Sequence, residues 1–194
     1  MPSHTPAHAP ARRLWLKQTA LPVLTLASTA GLLSGCASDP KPSDYATQKP
    51  VLDLREYFNG DLVAHGIFTD RAGKVVRRFT VQMKCSWQGD QGVLDEDFTY
   101  SDGKKERRIW RLTRHADGRY TGTADDVKGV AEGQVAGNAF QWKYTLKLPV
   151  DGTVYEVQFD DWMYLMDERV MLNKAVMSKF GFRLGEVTLA FYKK

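Results

Sequence analysis

Cysteine is nearly absent: the 194 residues hold two, Cys36 and Cys85. That excludes a disulfide scaffold and any Cys-rich metal site. Histidine is sparse as well, and His65 and His115 stand apart from each other and from any Cys or acid at ligand spacing, so no metal site is expected. Neither a G-x-S-x-G elbow nor a glycine-rich phosphate cradle is present, and nothing in the chain calls for a cofactor. No apolar run is long enough to span a bilayer, and no acid occurs before Asp39.

The acid-free N-terminus is informative. Arg12, Arg13 and Lys17 precede an apolar stretch from Thr19 to Leu33, interrupted by Pro22, Thr25, Ser28 and Thr29. This is the basic-then-apolar order of a secretory signal. It ends in Leu33-Ser34-Gly35-Cys36, which is similar to the bacterial lipobox, so residues 1–35 are expected to be a cleaved lipoprotein signal peptide and Cys36 the acylated residue. Two or three acyl chains, at about 0.8 kcal/mol per buried methylene, would hold the chain on a membrane almost irreversibly. Ala37 after the cysteine resembles the pattern sorted to the periplasmic face of the outer membrane. "ARRLWLK" at 11–17 is close to a twin-arginine signal, and an ordinary secretion signal with two adjacent arginines explains it equally well.

Of the 27 basic and 23 acidic groups, the signal takes Arg12, Arg13 and Lys17 and no acid, leaving 24 against 23. A nearly neutral mature surface does not predict nucleic-acid binding. Residues 36–56, with prolines at 40, 42 and 50, are expected to be the acylated Cys and a flexible tether, and 57–194 a single monomeric domain. Cys85 falls in an apolar register and is expected to be a buried, inert thiol.

Turn signals punctuate this domain at even spacing, among them Asp70-Arg71-Ala72-Gly73, Ser101-Asp102-Gly103, Ala116-Asp117-Gly118 and Val150-Asp151-Gly152. Between them the hydrophobic period is two. Phe79, Val81, Met83, Cys85 and Trp87 alternate with polar residues, as do Trp142, Tyr144, Leu146 and Leu148. About ten strands result, the weakest being "RVMLNKAVM", which also fits a helix. Sequential one-sided strands predict an all-β, lipocalin-like (calycin-type) up-and-down antiparallel barrel of eight to ten strands, because closure removes unpaired edges.

Carrying the registers along each strand turns four charges inward: Arg77, Glu96, Arg108 and Asp161. Buried ions must pair or neutralise, so the two arginines and two carboxylates are expected to balance, with Asp161 held by an arginine and Asp160 on the wet side. Such a set either fixes strand register or forms a polar floor for a ligand, alongside Trp110, Trp142 and Tyr144. Asp160 and Asp161 cannot act as a flanking catalytic pair from one strand, since adjacent side chains face opposite ways. The Gly- and Ala-rich stretch 129–139 marks bends or close packing, and its small side chains also leave lumen space.

The segments "YFNGDLVAHG" (57–66), "YSDGKKERRIW" (100–110), "FDDWMYLMD" (159–167) and "NKAVMSKFGFRLGEVTL" (173–189) closely resemble a family of bacterial lipoproteins labelled only as a domain of unknown function. The resemblance runs from Tyr57 to Lys193. It implies a lipocalin-like barrel and members that tend to be encoded near enzymes that modify fatty acyl chains, and it assigns no catalytic residue. Two functions follow as expectations. One is non-catalytic binding of a fatty acid or similar amphiphile, its carboxylate met by Arg77 or Arg108. The other is an enzyme on a lipid or envelope substrate using Asp161 or Glu96, with a ligand-free envelope scaffold as a further alternative.

Overall fold

The computed structural model describes residues 39–194; the signal segment and Cys36 lie outside them. Ten strands follow in chain order: β1 Gly60–Asp70, β2 Val75–Gln88, β3 Gln91–Tyr100, β4 Lys105–Arg114, β5 Arg119–Thr123, β6 Val127–Ala136, β7 Ala139–Val150, β8 Thr153–Leu165, β9 Val170–Lys179 and β10 Phe182–Lys193. Each pairs antiparallel with its chain neighbours, and β1 pairs with β10 from Leu62↔Lys193 to Asp70↔Gly185, closing the barrel. The helical alternative for "RVMLNKAVM" gives way because β8 and β10 offer this segment ladders on both edges.

The period-two pattern sets what faces in. Phe79, Val81, Met83 and Cys85 of β2 are buried, as are Val157, Phe159 and Asp161 of β8 and Met171, Asn173 and Ala175 of β9. Burial pushes the Cys85 thiol up to about 12, as suits an inert core cysteine. Close packing explains part of the glycine-rich stretch. A Cβ on Gly133 would lie 2.6 Å from the ring of Trp142, so this glycine makes room for an indole.

One end of the barrel is shut. A one-turn helix, α1 (Leu54–Tyr57), is capped by Asp53, whose carboxylate accepts from the Arg55 amide at 2.8 Å. It drives Leu52, Leu54 and Phe58 into the core. Trp87 Nε1 donates to the Phe58 carbonyl at 2.8 Å, and the Tyr57 hydroxyl reaches the carbonyls of Arg169 and Phe191 at 3.1 and 3.2 Å. Each fully buried side chain of this kind contributes about 1.5–3 kcal/mol.

The segment expected to be a tether is seated on the barrel from Pro42 onward. A 3-10 turn, Pro42–Tyr45, lies beside β6 and β7. The Tyr45 ring sits 5.5 Å from Trp162 and 5.4 Å from Tyr164, both on the outer face of β8. The packed part of the chain therefore starts well before Tyr57. Sequence hid this because Trp162 reads as core but points outward, and it is buried by a segment whose prolines suggest extension.

Candidate ligand-binding cavity

The barrel is hollow. A cavity of about 540 Å³ runs from above Leu54 and Phe58 to the opposite end, where the exposed Val76, Leu148, Val150 and Leu184 share the mouth with Asp70, Arg77, Lys104 and Glu106. Its size is that of a site for one small molecule. Aromatic rings make much of the wall. Tyr144 and Phe159 stack at 4.9 Å, and Trp110 meets Tyr144 edge-on at 5.3 Å and Trp142 at 5.6 Å.

Arg77, Glu96, Arg108, Trp110, Trp142, Tyr144 and Asp161 all line this cavity. The four charges do not pair as expected. Arg77, near the mouth, lies 3.6 Å above the Tyr100 ring and donates to Asp102 at 2.9 Å. Arg108 donates through Nε to Asp126 Oδ2 at 2.8 Å, with Nη2 at 2.8 Å from the same oxygen. Asp102 and Asp126 come from turns at the ends of strands, where no face can be assigned by alternation. Asp161 is held not by an arginine but by the side-chain amide of Asn173, which also reaches the Trp162 carbonyl at 3.3 Å. Asp160 faces outward as expected and accepts from Gln141 Nε2 at 2.7 Å.

Glu96 stands directly across the β3–β4 ladder from Arg108, yet its carboxyl has no hydrogen-bond partner among the described residues. Burial is the main influence on it and pushes it up to about 7, with Arg108 only partly offsetting. Asp161 is pushed up to about 7 by the same cause, against the Asn173 hydrogen bond and the more distant Arg108. Burial opposes the charge on Arg108 too, but Tyr144, Glu96 and Asp126 outweigh it and its pKa is raised. Tyr144 is raised by burial and stays a neutral phenol. The lumen thus holds a permanent cation bound by Asp126, and two carboxyls poised near neutrality.

Residues 30–193 match the family described as protein of unknown function (DUF3833). The chain belongs to the DUF3833 family. Among curated proteins none matches it in sequence. Solved structures that share the fold of this DUF3833 barrel include the following two. The S-type phycobiliprotein lyase CPES from Guillardia theta aligns with a TM-score of 0.56 at 7% identity, over 80% of this chain and 99% of that one. A protein of unknown function from the DUF3598 family of Nostoc punctiforme aligns at 0.51 and 10% identity, over 76% of this chain and 51% of that one. At such identities the likeness concerns the fold.

Among the residues that sequence reasoning missed are Asn173, Lys104 and Glu106, which line the cavity, and Asp102 and Asp126, which hold the two arginines. Asn173 sits two residues from Ala175 and Met171 on the inward register of β9, so strand alternation would have found it had that segment been read firmly as a strand.

Proposed function

We propose that this DUF3833 protein is a membrane-anchored periplasmic lipoprotein whose barrel binds one lipid-like molecule without altering it, serving lipid homeostasis of the envelope. The observation that carries the binding part is the hollow, aromatic-walled lumen of about 540 Å³, shut at α1 and open at the other end. At the mouth Val76, Leu148, Val150 and Leu184 offer an incoming apolar chain contact between the charged Asp70, Lys104 and Glu106. The sequence of residues 1–36 supports the anchor and the compartment. Because Arg77 and Arg108 are already engaged by Asp102 and Asp126, neither is a free clamp for a fatty-acid carboxylate, and the apolar wall is the main basis of affinity.

Native mass spectrometry of the protein isolated from the envelope, with solvent extraction of what co-purifies, tests this reading. A stoichiometric acyl-containing species is expected. A ligand-free mass that stays unchanged after incubation with fatty acids and phospholipids would overturn it in favour of a scaffold.

A second reading rests on Glu96 and Asp161, each pushed up to about 7, a value suited to general acid–base work. Recovery of a cleaved product when a lipid ester is supplied would move the assignment from binding to catalysis.

A further inference from the structure

The polar belt within the lumen is unbalanced in a specific way: neither of its two buried carboxyls, Glu96 and Asp161, is in an ion pair among the described residues. Three polar groups on three strands meet the cavity there. Glu96 on β3 has a carboxyl with no hydrogen-bond partner among the described residues, although the residue is only 8% exposed. Asp161 on β8 has one oxygen taken by Asn173. Asn173 on β9 is 2% exposed, spends its amide hydrogens on Asp161 and the Trp162 carbonyl, and leaves Oδ1 buried without a partner. Turning that amide over would set its carbonyl oxygen against a carboxylate, so the donor arrangement fixes the orphan acceptor.

The cations of the lumen are already paired: the Arg108 guanidinium is turned to Asp126, and the Arg77 guanidinium to Asp102, with Arg77 Nε left over near the mouth and the Tyr144 hydroxyl a neutral donor. Trp87 Nε1 is spent on the Phe58 carbonyl. A buried acceptor left unpaired is costly, and two carboxyls that repel each other add to that cost. A ligand lowers it by bringing N–H donors and positive charge. The rings of Trp110, Trp142, Tyr144 and Phe159 border the same space and offer π-faces, which attract a cation and do not attract an anion.

Resting on the reading that the lumen holds a lipid-like ligand, we infer that this ligand carries a primary ammonium, seated among Glu96, Asp161 and Asn173, with its apolar body lying towards the mouth. An ammonium brings three donors and a positive charge and no acceptor, which suits two carboxyls that lack a cationic partner. A carboxylate placed there would face two acids with both arginines already paired. A quaternary ammonium would satisfy the rings and the charge but donate no hydrogen bond to either carboxyl. Directly across the ladder from Asp161, the inward position on β9 is Ala175, whose small side chain leaves the carboxyl open to the lumen.

The test is a titration of the purified protein, followed by tryptophan fluorescence, with dodecylamine, dodecanol, dodecanoate and dodecyltrimethylammonium, each below its aggregation limit. It is run at pH 8, where Glu96 and Asp161 are ionised. Dodecylamine is expected to bind at least tenfold tighter than dodecanol and dodecanoate, and tighter than the trimethylated amine. In Glu96→Gln, and independently in Asn173→Ala, the preference for amine over alcohol should fall by threefold or more while dodecanol still binds, which also reports that the barrel is folded. If dodecanol or dodecanoate binds as tightly as the amine in the native protein, the ammonium assignment is overturned while the lumen remains a binding site. If none of the four binds, the binding reading itself fails. The comparison within the native protein decides the matter even where a variant does not fold.

Discussion

Asn173 and Asp161 face each other diagonally across the β8–β9 ladder, the amide of one donating to the carboxyl of the other inside the barrel. Both side chains are buried. Replacing Asn173 with Leu should therefore cost about 1–3 kcal/mol at pH 8, where Asp161 is ionised, and less at pH 5, where it is protonated. Urea unfolding at the two pH values checks this. Equal losses at both would show that the bond does not depend on the charge of Asp161.

Stability should also fall as pH rises. Glu96 and Asp161 titrate near 7 in the folded chain against ordinary values of 4.5 and 3.8, so the folded state holds these protons more tightly than the unfolded state. Their contribution is fully present below about 4, is lost progressively up to about 7, and is level above that. At about 1.4 kcal/mol per pH unit the loss is about 3–4 kcal/mol for each group. Carboxylates held low by arginines, such as Asp95 and Asp102, act in the opposite sense but below this window. Denaturation midpoints between pH 5 and pH 8 should show the slope, and Glu96→Gln should reduce it by about half. A flat profile in the native protein would contradict the burial of these groups.

The Arg108–Asp126 pair joins β4 to the turn before β6. Arg108→Leu leaves Asp126 without its partner and removes the cation opposite Glu96. We expect a loss of about 1–3 kcal/mol, below that of a wholly buried pair because Asp126 is partly exposed. Adding Asp126→Leu should recover part of that loss, as a double-mutant cycle would measure.

Tyr45 covers Trp162 from outside the barrel, away from the lumen. Tyr45→Ala should red-shift the emission of Trp162 and cost about 1–2 kcal/mol in thermal unfolding while leaving lumen ligands unaffected. Gly137→Ala should do the same, because a Cβ there would strike the Tyr45 carbonyl and this glycine holds φ at +54°. A change in ligand affinity with no change in emission would refute this separation of roles.

Most of the barrel was legible because alternation is local: Phe79 to Cys85 and Trp142 to Leu148 reveal their inner faces without any knowledge of their neighbours. The same arithmetic put Arg77, Glu96, Arg108 and Asp161 inside. It could not choose their partners, since Asp102 and Asp126 sit in turns, where alternation ends, and Asn173 lies in a segment that fits two periods. The cavity itself was out of reach, because the space inside a barrel depends on how strands tilt and stagger as a set. The seat of Tyr45 on Trp162 was hidden for a related reason: an outward aromatic becomes core only when a distant segment covers it.

The chain joins the barrel at the shut end, where Leu52 N donates to the Gly137 carbonyl at 2.8 Å and α1 enters below the core. The mouth lies at the far end of the strands. The molecule is thus a cup held by its base. A pull from the N-terminal side would be met first where Tyr45 rests on Trp162 and Tyr164 and then at the floor through Leu52, Leu54 and Phe58, and it would leave the brim unobstructed.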